Sequence, residues 1–190
     1  MEPRQATQDQ DPQRILEDAA GRFESGRVAI SFSGAEDVVL VDMASQLGLD
    51  LQVFSLDTGR LHPETYRFLE TVRNHYGIEI ELLMPDPEAI SALVRAKGLY
   101  SFLQDGHGEC CAIRKIEPLR RKLTGLDAWI TGQRQDQSVT RASVPQEQED
   151  VAFSSEGHRL VKFNPLAGWS SQDVWAYIRQ HGVPYNELHD

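Results

Sequence analysis

Short apolar runs that stop at Gly-, Ser- or Asp-bearing turns, each followed by a helix-period stretch, recur along this chain and leave few architectures open. Val28–Phe32 is the first run; it lacks clean alternation, as in a strand buried on both faces. It passes through Ser33–Asp37 into a helix over Val38–Leu47. The pattern repeats with strands over Leu51–Leu56 and Ile78–Leu83, and helices over Pro63–Tyr76 and Pro87–Lys97. Gly98–Gly108 reads as a loop, and Cys110–Leu123 as a helix in which Pro118 forces a kink or sits in a first turn. Strands over Asp127–Thr131 and Leu160–Phe163 and a helix over Ser171–Gln180 follow, with a leading helix over Gln13–Phe23. Such alternation predicts an α/β fold, a doubly wound and mostly parallel sheet with helices on both faces. Ligands of such sheets bind at the carboxyl ends of strands, near the switch in strand order. The turns to watch are therefore 33–37, 57–59 and 132–141.

With 190 residues the chain fits one domain. The first dozen residues are polar and predict a disordered segment, 1–12, ahead of a single domain over 13–190. A formal charge of −10 argues against nucleic acid or an anionic membrane as partner. No stretch reaches the ~18 apolar residues of a spanning helix, and the start is no signal peptide, so a cytoplasmic protein is expected. The two cysteines, Cys110 and Cys111, are neighbours. That count excludes a disulfide framework, and a bond between neighbours would be strained. They are either reduced core residues or soft metal ligands.

The turn Ser31-Phe32-Ser33-Gly34-Ala35-Glu36-Asp37 sets hydroxyls and a glycine where a strand feeds a helix. Backbone N–H groups and the helix dipole there favour an anion, although a plain serine-capped turn gives the same residues. Leu56-Asp57-Thr58-Gly59 reads as an Asp- or Thr-capped turn with Gly59 at positive φ; its backbone could also pair with an adenine edge. Around the thiols, His107, Arg114 and Lys115 make a polar, cationic setting unlike that of inert buried cysteines. On a regular helix Arg114 and Arg121 share one side, as do Lys115 and Lys122, while Ile116, Leu119 and Leu123 face the core. That arrangement offers either a basic patch for sulfate or phosphate, or an ordinary solvated face. The polar stretch from Gly132 to about His158 exceeds the usual ~12–15 residues of a loop. Its early half carries Arg134 and Arg141, suited to folding over an anion; its acids, Glu147 and Glu149 among them, also fit solvated disorder.

Taken in order, SFSGAED (31–37), LDTG (56–59), ECCAIRK (109–115), TGQR (131–134) and FNPL (163–166) resemble the assimilatory adenylyl-sulfate reductases, within the wider phosphoadenylyl-sulfate (PAPS) reductase family. The likeness runs from about Val28 to the end. It implies an adenine nucleotide alpha hydrolase-like sheet. It also implies reduction of adenosine 5′-phosphosulfate (APS) to sulfite and AMP. In that reaction a cysteine thiolate attacks the sulfate sulfur, and thioredoxin or a similar thiol then releases sulfite.

By the same resemblance, Ser31, Ser33 and Gly34 hold the phosphosulfate turn. The backbone at Leu56 and Gly59 reads adenine. Lys115, Arg134 and Arg141, with Gly132 in the same turn, serve the phosphosulfate, and His107 is a nearby polar contact. Cys110 and Cys111 are half the ligands of a [4Fe–4S] cluster, which favours APS over its 3′-phosphorylated relative. The family also carries a C-x-x-C pair and a nucleophilic cysteine beyond the stretch matching Tyr185–His189. This sequence holds neither up to Asp190, so a truncated chain that binds nucleotide without turnover is expected, with no catalytic nucleophile of its own. A homo-oligomer sharing a cluster is a less favoured arrangement. Three other functions compete: a PAPS reductase, an ATP pyrophosphatase and a non-catalytic nucleotide-binding module. Against the second, Ala35 and Val38 stand where that class places Gly and Ser in S-G-G-x-D-S.

Overall fold

The computed structural model describes residues 11–137 and 144–189; the side chain of residue 189 is left aside. In chain order the elements are α1 (Pro12–Arg22), β1 (Val28–Ser31), α2 (Ala35–Gln46), β2 (Gln52–Leu56), α3 (Pro63–Tyr76), β3 (Glu81–Leu83) and α4 (Pro87–Lys97). Next come α5 (Gly108–Cys111), a π-helical turn (Ala112–Ile116) and α6 (Glu117–Leu123), which run on without a break. β4 (Ala128–Ile130), β5 (Glu147–Glu149), β6 (Val161–Phe163) and α7 (Ser171–His181) complete the set. Helix boundaries follow the local chemistry. Asp86 caps the Ala89 N–H at the start of α4, and Ser170 caps Asp173 N–H at the start of α7. Pro12, Pro63 and Pro87 each open a helix, where a missing N–H costs nothing. Asp11 thus caps α1 and Pro12 opens it, while 1–10 of the expected disordered segment lie outside the described residues.

The strands form one sheet in the order β3-β2-β1-β4-β6-β5. Pairings β1·β2, β2·β3, β1·β4 and β4·β6 are parallel, and β5·β6 is antiparallel. The direction of winding reverses between β1 and β4, which is the switch point. Alternate residues of the central strands feed two separate cores. Val28, Ile30, Val53, Ala128, Ile130, Val161 and Phe163 join the larger core against α1, α2, α3 and α7. Ala29, Phe54 and Trp129 join Leu123, Leu126 and Leu160 in a smaller one on the other face. Burial on both sides is why β1 and β4 read as unbroken apolar runs.

Three features depart from the sequence expectation. The acids Glu147 and Glu149, compatible with solvated disorder, instead form the edge strand β5, exposed throughout. Its backbone is fixed by β6, and Glu147 accepts both terminal nitrogens of Arg22. The third strand spans only Glu81–Leu83. The segment from Gly108 to Leu123 is helical but changes pitch. Pro118 has no N–H for the Arg114 carbonyl four residues back, and its ring would clash there. The preceding turn widens to π geometry, with Glu117 N–H bonded to Ala112 O. The change of phase turns Arg114 inward and leaves Ile116 exposed, whereas a regular helix would send Ile116 to the core.

Candidate nucleotide site at the switch point

The turn after β1 is organised by Asp37. Its carboxylate accepts the Ser33 N–H (2.9 Å), the Ser33 hydroxyl (2.8 Å) and the Gly34 N–H (3.0 Å), and across the switch point the Gly132 N–H (2.9 Å). One buried side chain thus joins the turn after β1 to the turn after β4. Burial pushes the Asp37 carboxyl above its ordinary value, against the hydrogen bonds that favour its ionised form. Gly132 must be glycine for this approach: an added Cβ would lie 2.6 Å from both Asp37 Oδ1 and Glu36 Cβ.

Glu36, at the second position of α2, accepts Arg134 Nη2 (2.8 Å) and Nε (3.2 Å) and Gln137 Nε2 (3.3 Å). Burial is the largest single influence and would raise its carboxyl, but the Arg134 hydrogen bonds and charge, its own backbone N–H and Gln137 together outweigh it and hold the carboxyl below its ordinary value. Arg134 is 6% exposed and also donates to Asp136 and the Trp169 carbonyl. The negative charge that Glu36 adds to the turn is therefore balanced from within the chain.

The turn after β2 is built on Asp57, buried, which accepts the Gly59 N–H (2.8 Å) and the Tyr66 hydroxyl (2.9 Å). Gly59 takes φ +71, as the capped-turn reading requires. Arg114 reaches this turn from the π segment, its Nη1 donating to Thr58 O (2.6 Å). Beside it, Arg60 lies over the Phe102 ring (4.5 Å to centroid) and donates to the Leu99 carbonyl. His107 packs on Phe102 with ring centroids 5.7 Å apart.

Ser33, Gly34, Gly132 and Arg134 therefore meet at the switch point, through Asp37 and Glu36. Ser31 and Leu56 end the adjacent strands β1 and β2. Cys110 and Cys111 are free and half-buried, joined to the Gly59 turn through Arg114. Lys115 is exposed and has no ion-pair partner among the described residues. His107 is exposed, with an aromatic rather than a polar neighbour. Arg141 lies outside the described residues. The cations Arg114, Lys115, Arg121 and Lys122 do not form one patch. Arg114 is buried, Arg121 donates to the Met84 carbonyl, and Lys122 is held by Gln52 and Glu81. A concavity lined by Gly26, Gln52, Glu81 and Lys122 lies at the opposite, amino ends of the strands, and Lys122 is already spent there.

Asp37, Asp57 and Tyr66 are the residues sequence reasoning gave no site role. Asp37 and Asp57 sit inside the motifs, but their partners do not. Gly132 is 95 positions from Asp37, and Tyr66 is nine from Asp57. Among the described residues no helix is long and apolar enough to cross a membrane.

The chain matches the phosphoadenosine phosphosulfate reductase domain over residues 27–190. It is 59% identical to an adenosine 5′-phosphosulfate reductase of Pseudomonas aeruginosa, over 96% of this chain and 68% of that relative. It is 52% identical to a probable chloroplastic 5′-adenylylsulfate reductase of Oryza sativa, over 97% of this chain and 40% of the relative. Among solved structures, the PAPS reductase of Candida auris, a phosphate complex, superposes with a TM-score of 0.78. It is 26% identical, over 96% of this chain and 85% of the other. The ordered motifs, the strand order and these relatives converge: the chain belongs to the PAPS reductase family and, within it, to the adenosine 5′-phosphosulfate reductases, oxidoreductases that act on a sulfur group in sulfate assimilation.

Proposed function

We propose that this domain holds APS across the carboxyl ends of β2, β1 and β4. The phosphosulfate would lie against the Ser31–Gly34 turn with Lys115 as its counter-charge. The adenine would lie against the backbone of Leu56 and Gly59. The observation that carries this reading is the Asp37 link, which sets two glycine turns side by side at the switch point, the place where such sheets take ligands. Lys115 supports it as an exposed cation on a protein of charge −10. Arg134 acts one step back: by neutralising Glu36 it keeps the turn open to an anion. Arg141 is proposed for the same pocket. Val38, wholly buried, offers no hydroxyl where an ATP pyrophosphatase would place its serine.

The reaction runs in two steps. A thiolate attacks the sulfate sulfur, forming an S–S bond as the S–O bond to AMP breaks. Thioredoxin or a similar dithiol then attacks that linkage, forms a disulfide and releases sulfite. We assign Cys110 and Cys111 to a [4Fe–4S] cluster rather than to attack, so the attacking thiolate is not among these 190 residues. The donor set fits half of such a cluster. Two adjacent, half-buried thiols are present, and among the described residues no third His, Cys, Asp or Glu joins them. When bound, the cluster would supply a thiolate-held inorganic centre beside the cationic Lys115. A cytoplasmic location is part of the same proposal.

Calorimetric titration of the chain with APS, AMP and ATP tests the reading. APS and AMP should bind at one shared site, and ATP should yield no pyrophosphate. A folded protein that ignores APS would overturn it.

A further inference from the structure

We propose that Arg114 is a positioning residue that couples the Thr58–Gly59 turn to the helix bearing Cys110 and Cys111. The guanidinium is 7% exposed, and its Nη1 grips the Thr58 carbonyl at 2.6 Å. Its Nε is buried with no hydrogen-bond partner among the described residues. A buried cation that leaves a donor unmet is a poor way to fill space, since an apolar chain of similar length would avoid the desolvation cost. The arginine is turned inward by a π turn, itself a departure from the regular helix. At the receiving end Gly59 sits at φ +71, where an added Cβ would stand 3.3 Å from Arg114 Nη1. The thiols, one helical turn before Arg114, and the turn after β2 are 51 or more positions apart in sequence, yet this one side chain ties them together. A shift of the Gly59 turn is thus carried to the thiol-bearing helix. The inference rests on the nucleotide reading for its meaning: occupancy of the adenine end would be felt at the thiols.

A double-mutant cycle tests the coupling without nucleotide. The probe is an aromatic disulfide reagent reacting with Cys110 and Cys111 in the iron-free 190-residue chain. Rates are read on the alkaline plateau, where both thiols are ionised and the thiolate fraction no longer sets the rate. Arg114→Met should raise the plateau about 3- to 10-fold, the scale of one lost tertiary contact, and Arg114→Lys should restore most of the difference. Gly59→Ala should change the plateau by about 3-fold with Arg114 present, and not when Arg114 is Met. An unchanged plateau in Arg114→Met, or a Gly59 effect of equal size in both backgrounds, would overturn the coupling. Should Arg114→Met fail to fold by circular dichroism, Arg114→Gln takes its place in the cycle. AMP titration of the same proteins separates the two ideas. Absence of AMP binding in the unmodified chain defeats the nucleotide reading while the cycle still decides the coupling; AMP binding with an additive cycle defeats only the coupling.

Discussion

Among the described residues Asp37 collects four donors and no cation. Two of the donors it takes are the N–H groups of Ser33 and Gly34, so it shapes the turn from beneath. Asp37→Asn would set an amide NH₂ against backbone N–H groups that only donate. We expect a loss of about 1–3 kcal/mol in denaturant unfolding, the cost of leaving a buried donor unmet. The next residue behaves oppositely. Glu36 has a folded pKa below its ordinary value, so the stability it lends is present above pH 4.5 and fades as pH falls through the depressed value. Asp37 has a raised folded pKa, so its share is greatest at low pH and is lost as pH rises through that value. Glu36→Gln should therefore lag the parent by about 1–3 kcal/mol near pH 7, and the gap should narrow below pH 4.5. A gap that ignores pH would mean that the Arg134 pair adds nothing. Lys115 is exposed, with no ion-pair partner among the described residues, and is proposed to serve binding rather than folding. Lys115→Ala should weaken APS binding by about 1–3 kcal/mol in calorimetry while leaving the unfolding midpoint in place. Unchanged affinity would remove Lys115 from the site.

Elements carry constraints that no single residue states. The turn after β4 presses on the first turn of α2 closely enough that Gly132 has no room for a methyl group. The atoms in the way include the α2 backbone carbonyl carbon of Glu36, at 3.0 Å, which cannot swing aside as a side-chain tip would. Gly132→Ala should cost about 1–3 kcal/mol of stability and abolish nucleotide binding; retained APS affinity would show that the close approach is incidental. The glycine itself stood in TGQR, singled out by the family resemblance, two positions past the end of β4. Its clash with Glu36 was not legible, because it depends on how α2 sits over the switch point. The same divide holds elsewhere. The central strands were readable from their apolar runs. β5 was not, since a strand of Glu-Gln-Glu has no apolar side and is held by backbone bonds and by Arg22. Pro118 announced a break in its helix, but the choice of a π turn, and with it the inward turn of Arg114, is settled by packing.

At the scale of the whole molecule, the sheet is two flanks meeting at β1 and β4, with β3-β2 to one side and β6-β5 to the other. Strand alternation and the switch-point rule need only sequence, and they directed attention to the turns after the first, second and fourth strands. How the flanks are joined there needed the structure: Asp37 joins turns one and four, and Asn164, wholly buried, bonds the Thr131 hydroxyl and the Pro145 carbonyl across the second flank. A nucleotide lying over β2, β1 and β4 would touch both flanks and stabilise the whole domain rather than one loop. At about 100 times its dissociation constant, a ligand specific for the folded state adds ~2.7 kcal/mol. For a domain of this size each kcal/mol moves the midpoint by about 2–4 °C, so AMP should raise Tm by about 5–11 °C in a single transition. Gly132→Ala should lose that rise, because it disturbs the joint between the flanks. If AMP instead sharpened a separate early transition and left the main one unmoved, the nucleotide would be gripping one flank alone, and the site would have to be withdrawn from the junction of β1 and β4.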